Sequence, residues 1–211
     1  MRRPAATEPA EVASPPRIAG GDLRGRKLAF APGGRTRPMK DRVRETLFDL
    51  LGPTVKGTLA IDLFAGSGAL GFEAISRGAA KALFVERHFP TADAIRRSAR
   101  ELGIADRADV RGGDSLVWAR RLPDLDRSLP WLVFISPPWR FFADDAAEQP
   151  PLLAVVAVIQ AAAPAGSTIV VESDGSFDVT KLPDPANWTQ REILPAVLCF
   201  WDKKVPATKS G

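Results

Sequence analysis

The sequence predicts one α/β domain with a mostly parallel, doubly wound β-sheet, preceded by a small basic extension. Apolar runs of strand length alternate with amphipathic runs of helical length from residue 59 to residue 172. A glycine-rich loop follows the first of these strands and opens a helix, as in Rossmann-like domains. The length of 211 residues suits one such domain with short extensions.

The amino-terminal quarter is predicted to have three parts. Residues 1–16 are rich in Ala, Pro and Glu without periodicity, which predicts a disordered tail. Residues 17–37 carry five glycines among basic residues, which suits a small hairpin or an arm that orders on binding, rather than a core element. A helix is predicted from Pro38 to about residue 52, because apolar residues recur there at every fourth position. These are Met39, Val43, Leu47 and Leu51.

The following elements alternate in type. Strands are predicted at 59–64, 82–86, 108–111, 131–135 and 168–172, and helices at 69–77, 91–102, 115–121 and 151–163. Two apolar runs on either side of Pro195 predict an antiparallel closing pair, with the proline at a bend. The predicted organisation is a tail (1–16), a basic arm and helix (17–52), a Rossmann-like domain (53–204) and a second tail (205–211).

Composition excludes several classes of protein. Cys199 is the only cysteine and His88 the only histidine, so neither a disulfide framework nor a Cys- or His-based metal site can be built, and no metal is expected. No apolar run approaches the roughly 20 residues of a membrane span, and the first residues lack the apolar core of a signal peptide. We therefore expect a soluble, cytoplasmic protein that does not associate with membranes.

Positive charge is concentrated near the amino terminus. Between Arg17 and Arg44 there are nine basic and two acidic residues, a net charge of +7, although the whole chain carries only +4. Such a segment attracts a polyanion, since each phosphate that it neutralises releases counterions. It could also be an ordinary solvated face. The candidate nucleic-acid contacts are Arg17, Arg24, Arg26, Lys27, Arg37 and Arg42.

The glycine loop has the spacing G-x-G-x-x-G at Gly66, Gly68 and Gly71. Glycines there permit a sharp turn, a close approach of bare backbone to a ligand, and packing of the helix on the sheet. Glu86 ends the second strand 20 residues after Gly66, where a carboxylate can bind ribose hydroxyls. The pattern predicts a nucleoside-containing cofactor; the alternative is a tight turn that only packs.

Asp62 favours S-adenosylmethionine over a nicotinamide dinucleotide. A carboxylate at the end of the first strand suits the positively charged aminoacyl end and sulfonium, whereas it would repel a pyrophosphate. Asp114 follows the third strand, where it could meet the adenine edge or could cap the helix that begins at Ser115; both roles remain open. The candidate cofactor residues are Asp62, Phe64, Ala65, Gly66, Ser67, Gly68, Glu86 and Asp114.

The fourth strand runs directly into a Pro-Pro-aromatic loop, Ser136-Pro137-Pro138-Trp139. Two prolines fix the backbone and present rigid carbonyl acceptors at the ligand crevice. Such acceptors can bind the N–H groups of an exocyclic base amine and aim its lone pair at a methyl donor, while Trp139 stacks on the unstacked base. These four residues are the candidate catalytic set; the alternative is a proline-rich turn with a packing tryptophan.

Several segments together resemble one known family. The segments RIAGGDLRGRKL (17–28), RPMKDRVRETLF (37–48), DLFAGSGALG (62–71), VES (171–173) and PANW (185–188) are similar to the RsmD family, bacterial guanine-N2 methyltransferases of 16S ribosomal RNA. The resemblance covers about residues 17–204, and its first two segments are specific to this family. It implies a class I S-adenosylmethionine-dependent methyltransferase fold: a mostly parallel seven-stranded sheet with an antiparallel closing strand.

The resemblance also implies roles for individual residues. Asp62, Gly66, Gly68 and Glu86 would hold S-adenosylmethionine, residues 136–139 would form the catalytic loop, and the basic amino-terminal segment would contact rRNA. The implied partner is 16S rRNA, within the 30S subunit or an assembly intermediate of it, and a monomer is expected.

The chain departs from the family pattern in the catalytic loop. The family has Asp, or Asn in relatives, where this chain has Ser136, and Phe or Tyr where it has Trp139. A neutral hydroxyl in place of a charged acceptor would stabilise the transition state by roughly 1–2 kcal/mol less, which lowers the rate of methyl transfer about tenfold. The resemblance still implies a guanine-N2 methyltransferase. Three rival functions stay open: a non-catalytic RNA-binding or ribosome-assembly factor, a DNA adenine-N6 methyltransferase and a nicotinamide oxidoreductase.

Overall fold

A computed structural model describes residues 15–29, 39–121 and 125–205. The predicted tails, apart from residues 15, 16 and 205, and the candidate RNA contact Arg37 lie outside these residues. Within them, no helix has both the length and the apolar character that crossing a membrane requires. No cluster of His, Cys, Asp or Glu side chains in these ranges could hold a metal ion.

Seven strands form one sheet in the order β3-β2-β1-β4-β5-β7-β6. The strands β1 to β5 are parallel, and β7 runs antiparallel to both β5 and β6. This arrangement confirms the predicted fold class, including the antiparallel closing pair about Pro195. The strands are Leu59–Asp62 (β1), Lys81–Glu86 (β2), Ala108–Gly112 (β3), Trp131–Ile135 (β4), Thr168–Asp174 (β5), Trp188–Ile193 (β6) and Ala196–Asp202 (β7).

Helices cover both faces of the sheet. The helices are Asp41–Leu51 (α1), Ala69–Ser76 (α2), Phe89–Glu101 (α3), Ser115–Arg121 (α4) and Gln149–Ala162 (α5). Helices α1, α2 and α3 pack on one face, and α4 and α5 pack on the other. Successive side chains of a strand point to opposite faces of the sheet and so pack in different cores. Phe134 of β4 packs with the first group of helices, and its neighbour Ile135 packs with the second.

Helix α1 corrects the predicted helix start and buries a charged residue. It begins at Asp41 rather than at Pro38, because Lys40, the residue before it, has an extended backbone with ψ 140°. Arg44 lies off the apolar stripe, yet its side chain is only 1% exposed. Its guanidinium lies 3.0 Å from a carboxylate oxygen of Asp41 and 3.7 Å from one of Glu73, and it donates a hydrogen bond to the Arg17 carbonyl. These partners allow a charged group to be buried.

Residues 15–29 form a small hairpin, one of the two arrangements that the glycines suggested. Arg17 pairs with Lys27 in an antiparallel bridge. Ile18 and Leu28 are each only 2% exposed within the main core, so the expectation that this segment is not a core element was wrong for them. The amino-terminal hairpin is a fixed part of the domain surface.

Buried polar groups fasten the amino-terminal hairpin to the domain. The two carboxylate oxygens of Glu73 in α2 accept hydrogen bonds from the backbone N–H groups of Ala19 and Gly20, both at 2.7 Å. The Ser98 hydroxyl of α3 accepts one from the Ala29 N–H at 2.8 Å. These bonds span sequence separations of 53 to 69 residues and hold the hairpin against helices α2 and α3.

Candidate active site

A cleft of about 410 Å³ opens at the carboxyl edge of the parallel strands, where ligands bind in doubly wound sheets. Its floor and walls come from the loops after β1, β2 and β4, from the start of α4, from the end of β5 and from the amino-terminal hairpin. Ten of the twelve predicted cofactor and catalytic residues line it: Phe64, Ala65, Gly66, Ser67, Glu86, Asp114, Ser136, Pro137, Pro138 and Trp139. The other two, Asp62 and Gly68, are buried and do not line it.

The glycine loop takes a conformation that requires glycine. Gly66 and Gly68 have φ values of 51° and 77°, in the left-handed region that other residues rarely adopt. Gly71 serves packing instead, since a Cβ atom there would lie 2.3 Å from Cε1 of Phe84. The loop thus turns sharply from β1 into α2 and presents bare backbone to the cleft.

Glu86 ties the glycine loop to the end of β2. One carboxylate oxygen accepts the Gly66 N–H at 2.8 Å, and the other accepts the His88 N–H at 2.8 Å. Each carboxylate oxygen can accept a second bond, so the side chain at the cleft wall keeps acceptor capacity for a ligand hydroxyl. This arrangement suits the diol of a ribose.

Asp62 lies beneath the glycine loop and is 1% exposed. Its Oδ2 accepts the Gly71 N–H at 3.2 Å, while Oδ1 is buried without a hydrogen-bond partner among the described residues. Burial raises its pKa from 3.8 to about 7, a rise that the Gly71 bond opposes and the neighbouring charge of Glu86 increases. A buried, unpaired carboxylate oxygen behind a ligand cleft fits a cationic ligand group, because such a group would supply the missing partner.

Asp114 fulfils the capping role that the sequence left open. Its Oδ1 accepts the backbone N–H groups of Leu116 at 2.8 Å and Val117 at 3.4 Å, in the first turn of α4. The residue is exposed and also lines the cleft, so the cap places it where a ligand edge can reach it.

The Pro-Pro-aromatic loop forms the opposite wall. The Pro138 carbonyl accepts the Phe141 N–H at 2.8 Å, which closes a 3₁₀ turn over Trp139–Phe142. Trp139 is half-buried, with one side on the core that α1 helps to form and the other at the cleft. The loop thus holds an aromatic ring and backbone carbonyls at fixed positions along the cleft.

Glu172 is a site residue that the functional predictions did not include. It lines the cleft near the end of β5, is 6% exposed, and accepts a hydrogen bond from the Ser136 hydroxyl. Burial raises its pKa above the usual range, and the bond from Ser136 partly offsets this rise. The available sequence signal was a carboxylate, Glu172, directly after the apolar run 169–171 of a predicted strand.

Of the predicted RNA contacts, the described ones are all exposed. Arg17, Arg24, Arg26 and Lys27 lie on the amino-terminal hairpin, and Arg42 lies on α1. Pro16 and Ala29 of the same hairpin line the cleft. The hairpin that carries four of these cations thus reaches the cleft at its two ends.

Comparison with known proteins finds a matching protein family and relatives of known name. A family model described as "Conserved hypothetical protein 95" matches residues 16–194. The "Putative rRNA methyltransferase YlbH" of Bacillus subtilis is 38% identical over 99 residues, which are 47% of this chain and 54% of the relative. The "Ribosomal RNA small subunit methyltransferase D" of Escherichia coli is 39% identical over 127 residues, 59% of this chain and 60% of the relative. Both matches thus span less than two thirds of the relative.

Similarity to solved structures extends over more of the chain. The "Putative methyltransferase yhhF from Escherichia coli" superposes with a TM-score of 0.70 and 29% identity, over 91% of this chain and 99% of the other. An RNA methyltransferase from Salinibacter ruber in complex with S-adenosyl-L-homocysteine has a TM-score of 0.57 and 18% identity, over 81% of this chain and 97% of the other. The second similarity concerns the fold alone, which is that of class I methyltransferases.

Proposed function

The chain belongs to the family described as "Conserved hypothetical protein 95", and on that premise we propose that it methylates N2 of a guanine in 16S rRNA with S-adenosylmethionine. This membership bears out the resemblance to the RsmD family. One observation carries the proposal: a single cleft brings together the glycine loop, the carboxylate at the end of β2 and the Pro-Pro-aromatic loop. The first two suit a nucleoside cofactor, and the third suits a base amine.

The cofactor would occupy the half of the cleft that β1, β2 and α4 border. Glu86 would accept bonds from the ribose hydroxyls, and Asp114 would lie at the adenine edge. The unpaired Oδ1 of Asp62 would stabilise the positive charge of the aminoacyl end from beneath the glycine loop. Bound there, S-adenosylmethionine supplies an electrophilic methyl group.

The substrate base would occupy the half that β4 and β5 border. Trp139 would stack on the guanine after it leaves its own stack, an arrangement worth roughly 1–3 kcal/mol per base. The Ser136 hydroxyl and the Pro137 carbonyl would accept the two N–H bonds of the amine and direct its lone pair toward the methyl carbon. In-line placement then lowers the barrier without a strong base.

The exposed cations would contact the phosphates of the rRNA. The amino-terminal hairpin carries most of them, and its ends, Pro16 and Ala29, line the cleft, so RNA bound along the hairpin would lead toward the cleft. Arg37 belongs to the same proposal by its place in the sequence.

The proposed function is tested by incubating the protein with labelled S-adenosylmethionine and unmodified 30S subunits, with naked 16S rRNA and duplex DNA as parallel substrates. Label in a ribosomal sample is expected. Label in DNA alone would favour the adenine-N6 alternative. Cofactor binding without transfer to any substrate would favour a non-catalytic RNA-binding factor, an alternative motivated by Ser136 in place of the family's Asp.

A further inference from the structure

Ser136 and Glu172 are neighbours because two parallel strands end in register. Ile135 of β4 is paired with Val171 of β5, so the residues that follow them lie side by side at the carboxyl edge. Residues in register on adjacent strands project to the same face. The Ser136 hydroxyl hydrogen-bonds to Oε2 of Glu172, and both residues line the cleft.

We propose that Glu172 is a positioning residue for methyl transfer: it holds the proton of the Ser136 hydroxyl, so that Oγ turns its lone pairs toward the substrate amine. The serine and the glutamate would then supply together the negatively polarised acceptor that a loop aspartate supplies alone. This inference rests on the proposed function.

The direction of the hydrogen bond follows from the chemistry of its partners. An ionised carboxylate only accepts hydrogen bonds, whereas a hydroxyl donates one and keeps two lone pairs as acceptors. With its proton on Glu172, Ser136 must act toward any further partner as an acceptor. A bond to a charged acceptor also polarises the hydroxyl, which strengthens its acceptance of an amine N–H.

The pair also accounts for the proton that the reaction releases. When the amine nitrogen bonds to the methyl carbon, the electron pair of the carbon–sulfur bond stays on sulfur, and the nitrogen must lose a proton. That proton passes to Ser136 Oγ while the hydroxyl proton passes to Glu172, which later releases it to solvent. Burial raises the pKa of Glu172, which makes its carboxylate a better proton acceptor than an exposed glutamate.

No ion pair neutralises Glu172 in the part of the chain that the structure describes. The cations Lys40, Arg44 and Arg87 line the same cleft, but none forms a salt bridge with this carboxylate. The other acidic groups of the cleft, Glu86 and Asp114, accept hydrogen bonds from backbone N–H groups. Ser136 is the hydrogen-bond partner that distinguishes Glu172 from these carboxylates.

The first test measures the pair without any reaction. The carboxyl carbon of Glu172 is titrated by NMR in protein labelled with ¹³C-glutamate, with the signal assigned by its absence from E172Q. Because the Ser136 bond lowers the pKa of Glu172, S136A is expected to raise that pKa further. The matched control is S173A, since the Ser173 hydroxyl is buried without a partner among the described residues. An equal pKa in S136A and S173A would overturn the inference.

The second test measures the consequence for transfer. We expect E172Q to lower kcat by at least about tenfold, to keep its affinity for S-adenosylmethionine, and to lose the acid limb of the pH–rate profile. In S136D/E172Q, the loop carboxylate should restore kcat. Unchanged kcat and pH profile in E172Q, beside an active wild type, would overturn this inference alone. A wild type that methylates no substrate would refute the proposed function, and the inference with it.

Discussion

Replacing Asp62 by asparagine is expected to make the protein more stable, and increasingly so as the pH rises. The side chain is 1% exposed, its Oδ1 has no partner among the described residues, and burial raises its pKa from 3.8 to about 7. Between these two pH values the folded protein holds a proton that the unfolded chain has lost. The free energy of unfolding of the wild type therefore falls as the pH rises through this window.

The magnitude follows from the pKa difference. Each pKa unit is worth about 1.4 kcal/mol, so ionised Asp62 costs the fold about 4 kcal/mol above pH 7. At pH 5 only about a third of this cost is present, because the folded side chain is still protonated. The asparagine side chain of D62N has no charge at either pH. The free energy of unfolding of D62N, relative to that of the wild type, should therefore rise by about 3 kcal/mol from pH 5 to pH 8.

The assay is urea unfolding of the wild type and D62N at pH 5 and pH 8, without cofactor. The exposed-carboxylate variant E45Q serves as a control and should follow the wild type at both values. A stability difference between D62N and the wild type that does not change with pH would refute the account of Asp62 as a buried, unpaired acid.

Three further predictions concern the amino-terminal hairpin and the cleft. E73Q should destabilise the protein by about 3 kcal/mol, because the buried Glu73 carboxylate accepts hydrogen bonds from two hairpin N–H groups and forms ion pairs with two arginines. Urea unfolding measures this, and an unchanged midpoint would contradict the prediction. W139A should lower kcat/KM about 10- to 100-fold, while its affinity for S-adenosylmethionine, measured by calorimetry, should stay unchanged. An equal loss of kcat/KM and of cofactor affinity would instead place the Trp139 ring in the cofactor site. R24E/R26E should weaken RNA binding and reduce the slope of log Kd against the logarithm of salt concentration by about 1.5. An unchanged slope would show that these two arginines do not contact RNA phosphates.

The parallel part of the sheet was predictable because most of its elements carry a local signature. Strand β4 is one apolar run, α4 has the predicted bounds, and the glycine spacing marks the turn after β1. The cleft followed from the same information, since the carboxyl ends of parallel strands meet at one edge of the sheet. The boundaries of the predicted strands and helices from residue 38 to residue 174 differ from the observed ones by at most three residues.

What the sequence did not predict depends on contacts between distant segments. The burial of Arg44 requires Glu73, and the burial of Ile18 and Leu28 requires the hydrogen bonds from the hairpin to α2 and α3. Neither partner can be read from local periodicity. The link between Ser136 and Glu172 likewise requires the register of β4 on β5, which a single sequence does not specify.

The most direct test of the central claim is to identify the methylated nucleoside after reaction with unmodified 30S subunits. The labelled rRNA is digested completely, and the products are separated and identified by mass and by comparison with standards. The account predicts label in N2-methylguanosine, reduced strongly in W139A. Label in a different nucleoside, or no label from a protein that binds S-adenosylmethionine, would contradict it.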